Sequence, residues 1–167
     1  MIDLTVKCDQ LASGKPLVKK IEATSSECAA LAQRFDWISV ASLMAEIKLK
    51  AIAKDAFHVS GKIEAAIIQR CRVTDNPVPE SLMIDVDERF AIIDDDTDLE
   101  VTEIDPMAVS VEAVVNGTIP VGEMIAQLVG LEASPWPRDA AADQHMLRDE
   151  NDPTNPFASL AELKKKL

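Results

Sequence analysis

Phe57-His58-Val59-Ser60-Gly61-Lys62-Ile63-Glu64-Ala65-Ala66-Ile67-Ile68-Gln69-Arg70-Cys71-Arg72-Val73-Thr74-Asp75-Asn76-Pro77-Val78-Pro79 is the stretch that decides the fold. In its first part Phe57, Val59, Gly61, Ile63, Ala65 and Ile67 stand two apart, as a half-buried strand requires. Downstream, Leu82, Ile84, Val86, Phe90 and Ile92 repeat the pattern. Two prolines and an Asp-Asn pair between the runs predict that one strand ends before the next begins. The result is a sheet corner carrying a thiol, Cys71.

Upstream of that corner, Leu43, Ala45, Ile47, Leu49 and Ala51 alternate with Met44, Glu46, Lys48 and Lys50. This reads as a strand with one solvated face. The short Lys54-Asp55 link suits a hairpin, and Leu82 to Ile93 makes the third member of a meander. Ile2 to Val6 is a candidate fourth strand, and Val109 to Val115 another, ending at the turn signal Asn116-Gly117. Thr24-Ser25-Ser26-Glu27 has capping-box spacing and opens a helix with Cys28, Leu31, Ala32 and Phe35 on one face, which makes Cys28 a packing residue. A second amphipathic helix runs from Pro120 to Leu131 and is expected to close at Gly130. Residues 138–155 read as a flexible connector. Asn155-Pro156-Phe157 then caps a C-terminal helix with Phe157, Leu160, Leu163 and Leu167 on one stripe. The expected fold class is α+β. It combines an antiparallel sheet of about four to six strands, open or barrel-like, with two amphipathic helices and a C-terminal helix. Residues 1–137 form one domain, and 138–167 form the connector and docking helix.

The 167 residues are 47% hydrophobic but only 4% aromatic, with no tyrosine, so the core is aliphatic and platforms for base stacking are few. No stretch approaches the length of a membrane span and the start lacks signal-peptide character, which predicts a cytoplasmic protein. Three widely spaced cysteines fit reduced thiols. The net charge of −12 is concentrated, because residues 75–112 hold 13 acids against a single base, Arg89. Asp94, Asp95, Asp96 and Asp98 are its densest part. Such a run is either a solvated loop or an acidic face for a basic partner. Arg70 and Arg72 flank Cys71 at strand spacing, with Lys48, Lys50 and Lys62 expected on adjoining strands. They form either a patch for a few phosphates or a solvated face balanced by acids.

Signals for chemistry are weak. Zinc needs three or four Cys or His ligands, whereas His58 and His145 are isolated, and Asp94 to Asp98 lacks the glycine and terminal glutamate of a calcium loop. There is no phosphate-cradling glycine loop and no nucleophile elbow. Asp85 and Asp87 could share a strand face, but at this density of acids such pairs arise by chance. No catalytic residue, metal, cofactor or small-molecule substrate is expected.

The strand ending Gln69-Arg70-Cys71-Arg72-Val73-Thr74, followed by Pro77-Val78-Pro79 and an acidic strand, resembles the centre of the large ribosomal RNA subunit accumulation proteins, the YceD-like family. Similar positions recur at Ala23-Thr24 to Leu31-Ala32, at Ile119-Pro120-Val121-Gly122-Glu123 and, most distinctively, at Asn155-Pro156-Phe157-Ala158-Ser159-Leu160. The family-motif residues are thus Cys71, Thr74, Asn155, Pro156 and Phe157. Many relatives carry a second cysteine near the position of Cys71, so the resemblance is to a bacterial branch without it, and no metal role follows. It implies a non-catalytic factor in the synthesis, processing or stability of large-subunit rRNA. Its expected partners are that RNA or a basic ribosomal protein or assembly factor, with no membrane. The alternative is an acidic interaction or chaperone-like module unrelated to ribosomes.

Overall fold

A computed structural model describes residues 2–92, 111–114 and 116–142. Strand β1 (Val6–Lys7) leads through a 3-10 turn, Cys8–Leu11, to β2 (Leu17–Glu22), and helix α1 (Ser25–Phe35) follows. Three strands of 15 residues each come next: β3 (Ser39–Ala53), β4 (Ala56–Arg70) and β5 (Pro77–Ala91). Short strands β6 (Glu112–Ala113) and β7 (Thr118–Ile119) precede helix α2 (Val121–Glu132). The architecture is α+β, with a five-stranded sheet in the order β2-β3-β4-β5-β6 and a separate β1-β7 ribbon.

The sheet is open, which corrects the barrel-like alternative: β2 and β6 are its two edges and do not pair with each other. α1 packs on β3 while α2 packs on β5 and β4, so a second layer rather than closure covers the apolar face. Nor is the sheet wholly antiparallel, because β6 runs parallel to β5 with Phe90 opposite Glu112. Of the expected Val109–Val115 strand, the described residues contribute only that pair. Of the expected Ile2–Val6 strand only Val6 is in a strand, β1 (Val6–Lys7), which joins the ribbon rather than the main sheet. The C-terminal helix expected from Asn155 lies outside the described residues.

The long strands behave as their period of two predicts. Leu43, Ala45, Ile47 and Leu49 of β3, Val59, Ile63, Ala65 and Ile67 of β4, and Leu82, Ile84 and Val86 of β5 are all buried on one face. Pairing between β4 and β5 is unbroken from Ala56↔Ala91 to Arg70↔Pro77. Glu88 interrupts the β5 stripe half-buried, and burial, then the carboxylates of Glu112 and Asp87, push its carboxyl above the usual range.

Pro77 and Pro79 lie inside β5 rather than in the turn, which corrects the expected strand end. The Cys71 amide donates to Asn76 O at 2.8 Å. Asn76 therefore faces β4, and the alternation turns the backbone nitrogens of Pro77 and Pro79 outward, where no donor is required. β2 had no sequence reading of its own, since Lys19 occupies an inward, half-buried position between Leu17 and Ile21.

Helix α1 begins as its capping box predicts, with Thr24 Oγ1 accepting from Glu27 N at 3.3 Å and Thr24 N donating to Glu27 Oε2 at 2.8 Å. Cys28 is buried as a packing residue. Gly130 does not close α2, which continues to Glu132. A Cβ at Gly130 would lie 2.6 Å from the Phe35 ring, so the glycine serves the contact between the helices. Arg34 of α1 clamps Glu123 of α2 through two 2.7 Å bonds. In mid-β4, a Cβ at Gly61 would lie 2.0 Å from Glu46 O of the neighbouring strand, so the backbones approach where only hydrogen fits.

Gly61→Ala is expected to lower stability by about 1–3 kcal/mol in denaturant unfolding; wild-type stability would show that β3 can shift without cost. The Arg34 guanidinium, followed by Gln127, holds the Glu123 carboxyl at about 2, below its ordinary 4.5. The depressed pKa means the clamp contributes fully above pH 4.5 and is lost as pH falls through about 2. Because both side chains are about one-third exposed, the contribution is screened to roughly 1 kcal/mol or less. Glu123→Gln should trail the wild type by that amount at pH 7 and converge with it towards pH 2 in thermal unfolding across pH; a gap independent of pH would contradict the assignment.

Candidate functional site

The corner between β4 and β5 is built around Cys71, which is 1% exposed. Its carbonyl accepts from Asp75 N at 3.2 Å, and Asp75 takes the left-handed conformation that closes the turn. The sulfur accepts from three backbone amides, Val73 and Thr74 at 3.4 Å and Asp139 at 3.5 Å. It also lies 3.4 Å from Asp139 Oδ1, while Asp139 Oδ2 accepts from Asn76 Nδ2 at 2.6 Å. Desolvation pushes the thiol up. Hydrogen bonds from the Thr74 side chain and the three amides outweigh it, leaving Cys71 below the ordinary 9.0. Burial pushes Cys8 and Cys28 the other way, so this sulfur differs electrostatically from the other two. Asn76 leads the bonds that hold Asp139 below the usual carboxylate range.

The same corner is stitched to the chain following α2. Arg72 N donates to Pro137 O at 3.0 Å. Gln69 Nε2 donates to Glu80 Oε2 at 2.8 Å and to Ser134 O at 3.1 Å, and Glu80 also receives the Ser134 amide. Gln69 stands on the inward stripe after Ile63, Ala65 and Ile67, and a polar residue there was a legible sign of a buried polar junction. Nothing local marked Asp139 as its companion.

Arg70 and Arg72 are both exposed, but not as strand neighbours. Arg70 ends β4, whereas Arg72 lies in the turn. They nevertheless line one pocket of about 320 Å³ together with Phe35, Asp36, Trp37, Leu131, Ser134 and Pro135. Phe35 and Trp37 stack there with ring centroids 4.7 Å apart. Lys48, Lys50 and Lys62 do not join this patch, which corrects the expected grouping. Lys62 is the nearest along the chain, eight positions from Arg70 on β4, or about 26 Å at the rise of a strand.

Those lysines belong to the outward face of the sheet. Registered rows cross it, Lys20-Glu46-Lys62-Asp85 and Glu22-Met44-Glu64-Met83, alternating in charge or in polarity. Lys20 pairs with Glu46 at 3.1 Å and Lys62 with Asp85 at 3.8 Å. A concavity of about 770 Å³ opens around these rows, with Met83 76% exposed beside it. Asp85 and Asp87 share this face as their spacing predicts, and His58 binds Asp87, whose carboxyl it lowers. Among the described residues no three His, Cys, Asp or Glu side chains are grouped to hold a metal ion. No described helix is long and apolar enough to cross a membrane. Asp94, Asp95, Asp96, Asp98, His145, Asn155, Pro156 and Phe157 lie outside the described residues.

Neither family models, curated proteins nor solved structures match the chain. Cys71→Ala leaves the amides of Val73, Thr74 and Asp139 without their acceptor and should cost about 1–3 kcal/mol in denaturant unfolding. If the variant is as stable as the wild type, the sulfur is not the anchor of the corner.

Proposed function

We propose that this protein is a non-catalytic factor in large ribosomal subunit biogenesis, acting on the synthesis, processing or stability of large-subunit rRNA through protein or ribonucleoprotein contacts. The reading rests on the resemblance at Cys71 and Thr74, and one structural observation supports it. The motif residues shape a locked corner that presents Arg70 and Arg72 together on one pocket. A thiol enclosed by amides and a carboxylate is suited to holding a turn, and two guanidinium groups on that turn suit contact with phosphate. In this reading the acidic run, with Asp94, Asp95, Asp96 and Asp98, receives a basic ribosomal protein or assembly factor. The arginine corner meets RNA, and both events take place in the cytoplasm.

A second reading, an acidic interaction module unrelated to ribosomes, is favoured by the concave outward sheet face, where exposed Met44 and Met83 alternate with Glu22 and Glu64. Methionine side chains adapt to varied apolar partners. One experiment separates the two: affinity purification of the tagged protein from its own cells in low salt, with bound protein and RNA identified, beside an Arg70→Glu/Arg72→Glu variant. The ribosomal reading expects large-subunit RNA or assembly-stage large-subunit proteins, depleted by high salt and by the double variant. Recovery of other proteins alone, under conditions where a known assembly factor brings down ribosomal material, would favour the second reading.

A further inference from the structure

The pocket beneath Arg70 and Arg72 has an aromatic component that charge alone does not explain. The chain has only two tryptophans. One, Trp37, lines the pocket, stacked on Phe35. The other, Trp136, is 74% exposed. It lies between Pro135, which lines the pocket, and Pro137, whose carbonyl receives the Arg72 amide. Leu131, 82% exposed, stands on the same rim. One lining thus holds Trp37, Arg70 and Arg72, and the exposed Trp136 directly follows its last residue, Pro135. Among the described residues neither arginine is ion-paired.

We infer that this pocket is a binding site for single-stranded RNA, taking an unstacked base on its tryptophan surface and the flanking phosphates on Arg70 and Arg72. Exposed indole and guanidinium are the combination that holds single strands, because every base has a face to stack and every nucleotide a phosphate. Duplex RNA keeps its bases stacked internally and offers none to the indole. Asp36, in the same lining, repels further phosphate but accepts from exocyclic amines, which favours a base over a second phosphate at that end. The net charge of −12 opposes long tracts of nucleic acid, so the site is local, covering one or two nucleotides at this corner. The inference deepens the ribosomal reading and rests on it only for the choice of RNA as ligand.

With no tyrosine present, tryptophan emission reports directly on the site. The full-length protein is titrated in low salt with a single-stranded RNA of about 12 nucleotides, and separately with the same strand annealed to its complement. The single strand should quench the emission saturably, and the duplex should not. Trp136→Ala should weaken binding at least about fivefold, measured by anisotropy of labelled RNA. Arg70→Gln/Arg72→Gln should also weaken it and reduce the slope of log affinity against log salt by about 1.4. All of these side chains are exposed or half-buried, and a circular-dichroism melt verifies that each variant folds. The inference is overturned by absence of saturable quenching at roughly 10⁻⁴ M RNA, the weak limit of non-specific binding. It is equally overturned by variants that bind like the wild type, or by equal affinity for duplex. If it fails while the purified protein still recovers large-subunit material, the ribosomal reading stands and operates through protein contacts. If RNA binds as expected but no ribosomal material is recovered, the site stands and the ribosomal reading falls.

Discussion

The register between β4 and β5 is the constraint on which the rest of this structure depends. Fifteen successive pairs match odd-numbered residues of one strand with even-numbered residues of the other without interruption. Sliding one strand by a single residue would turn Ile84, Val86 and Phe90 to solvent and bring Met83, Asp85 and Asp87 against the helices. Turn chemistry and side-chain pattern both specify this register. Asp75 in its left-handed conformation and the Cys71–Asn76 bond close the turn, and the apolar stripe then selects the same alignment along the strands.

That arrangement explains why the corner is fortified from outside the hairpin. A turn of Cys71 to Asn76 between long strands has little apolar surface of its own, so its order comes from polar closure. Asp139 supplies an amide to the sulfur and a carboxylate to Asn76, while Glu80 and Gln69 fix Ser134. The segment after α2 therefore binds back across the sheet end. In doing so it brings Pro135 into the lining shared with the arginines and the Pro137 carbonyl onto the Arg72 amide, on either side of Trp136. The chemistry on display and the scaffold holding it share one set of bonds.

Much of this fold was legible in the sequence where structure depends on local period. The three long strands follow from alternation that holds for many residues, and α1 starts where Thr24 and Glu27 say it should. Pro77 and Pro79 misled because sequence does not reveal which way a strand's backbone nitrogen points; only the pairing of Asn76 with Cys71 settles that they face outward. β2 was hidden by Lys19, whose long side chain occupies a half-buried inward position that an apolar template rejects. The candidate site was half legible. Arg70 and Arg72 could be paired by proximity in the chain, but Trp37, Leu131 and Pro135 come from distant segments that only the packing of α1, α2 and the chain after them brings near. Lys48, Lys50 and Lys62 lie on the outward face, as alternation says, but alternation does not give their distance along the strands from Arg70.

The outward-turned nitrogens of Pro77 and Pro79 also bear on how the molecule meets copies of itself. Beyond the two-residue pairing with β6, β5 is an unpaired sheet edge among the described residues, the kind of surface on which another strand can nucleate. Where amide hydrogens would project from that edge, the prolines present ring carbons. An incoming strand aligned there would leave two of its carbonyls unmatched and meet steric bulk at alternate positions. Lateral growth of the sheet is thus blocked at the arginine corner, leaving that corner open to contact through side chains rather than through borrowed backbone.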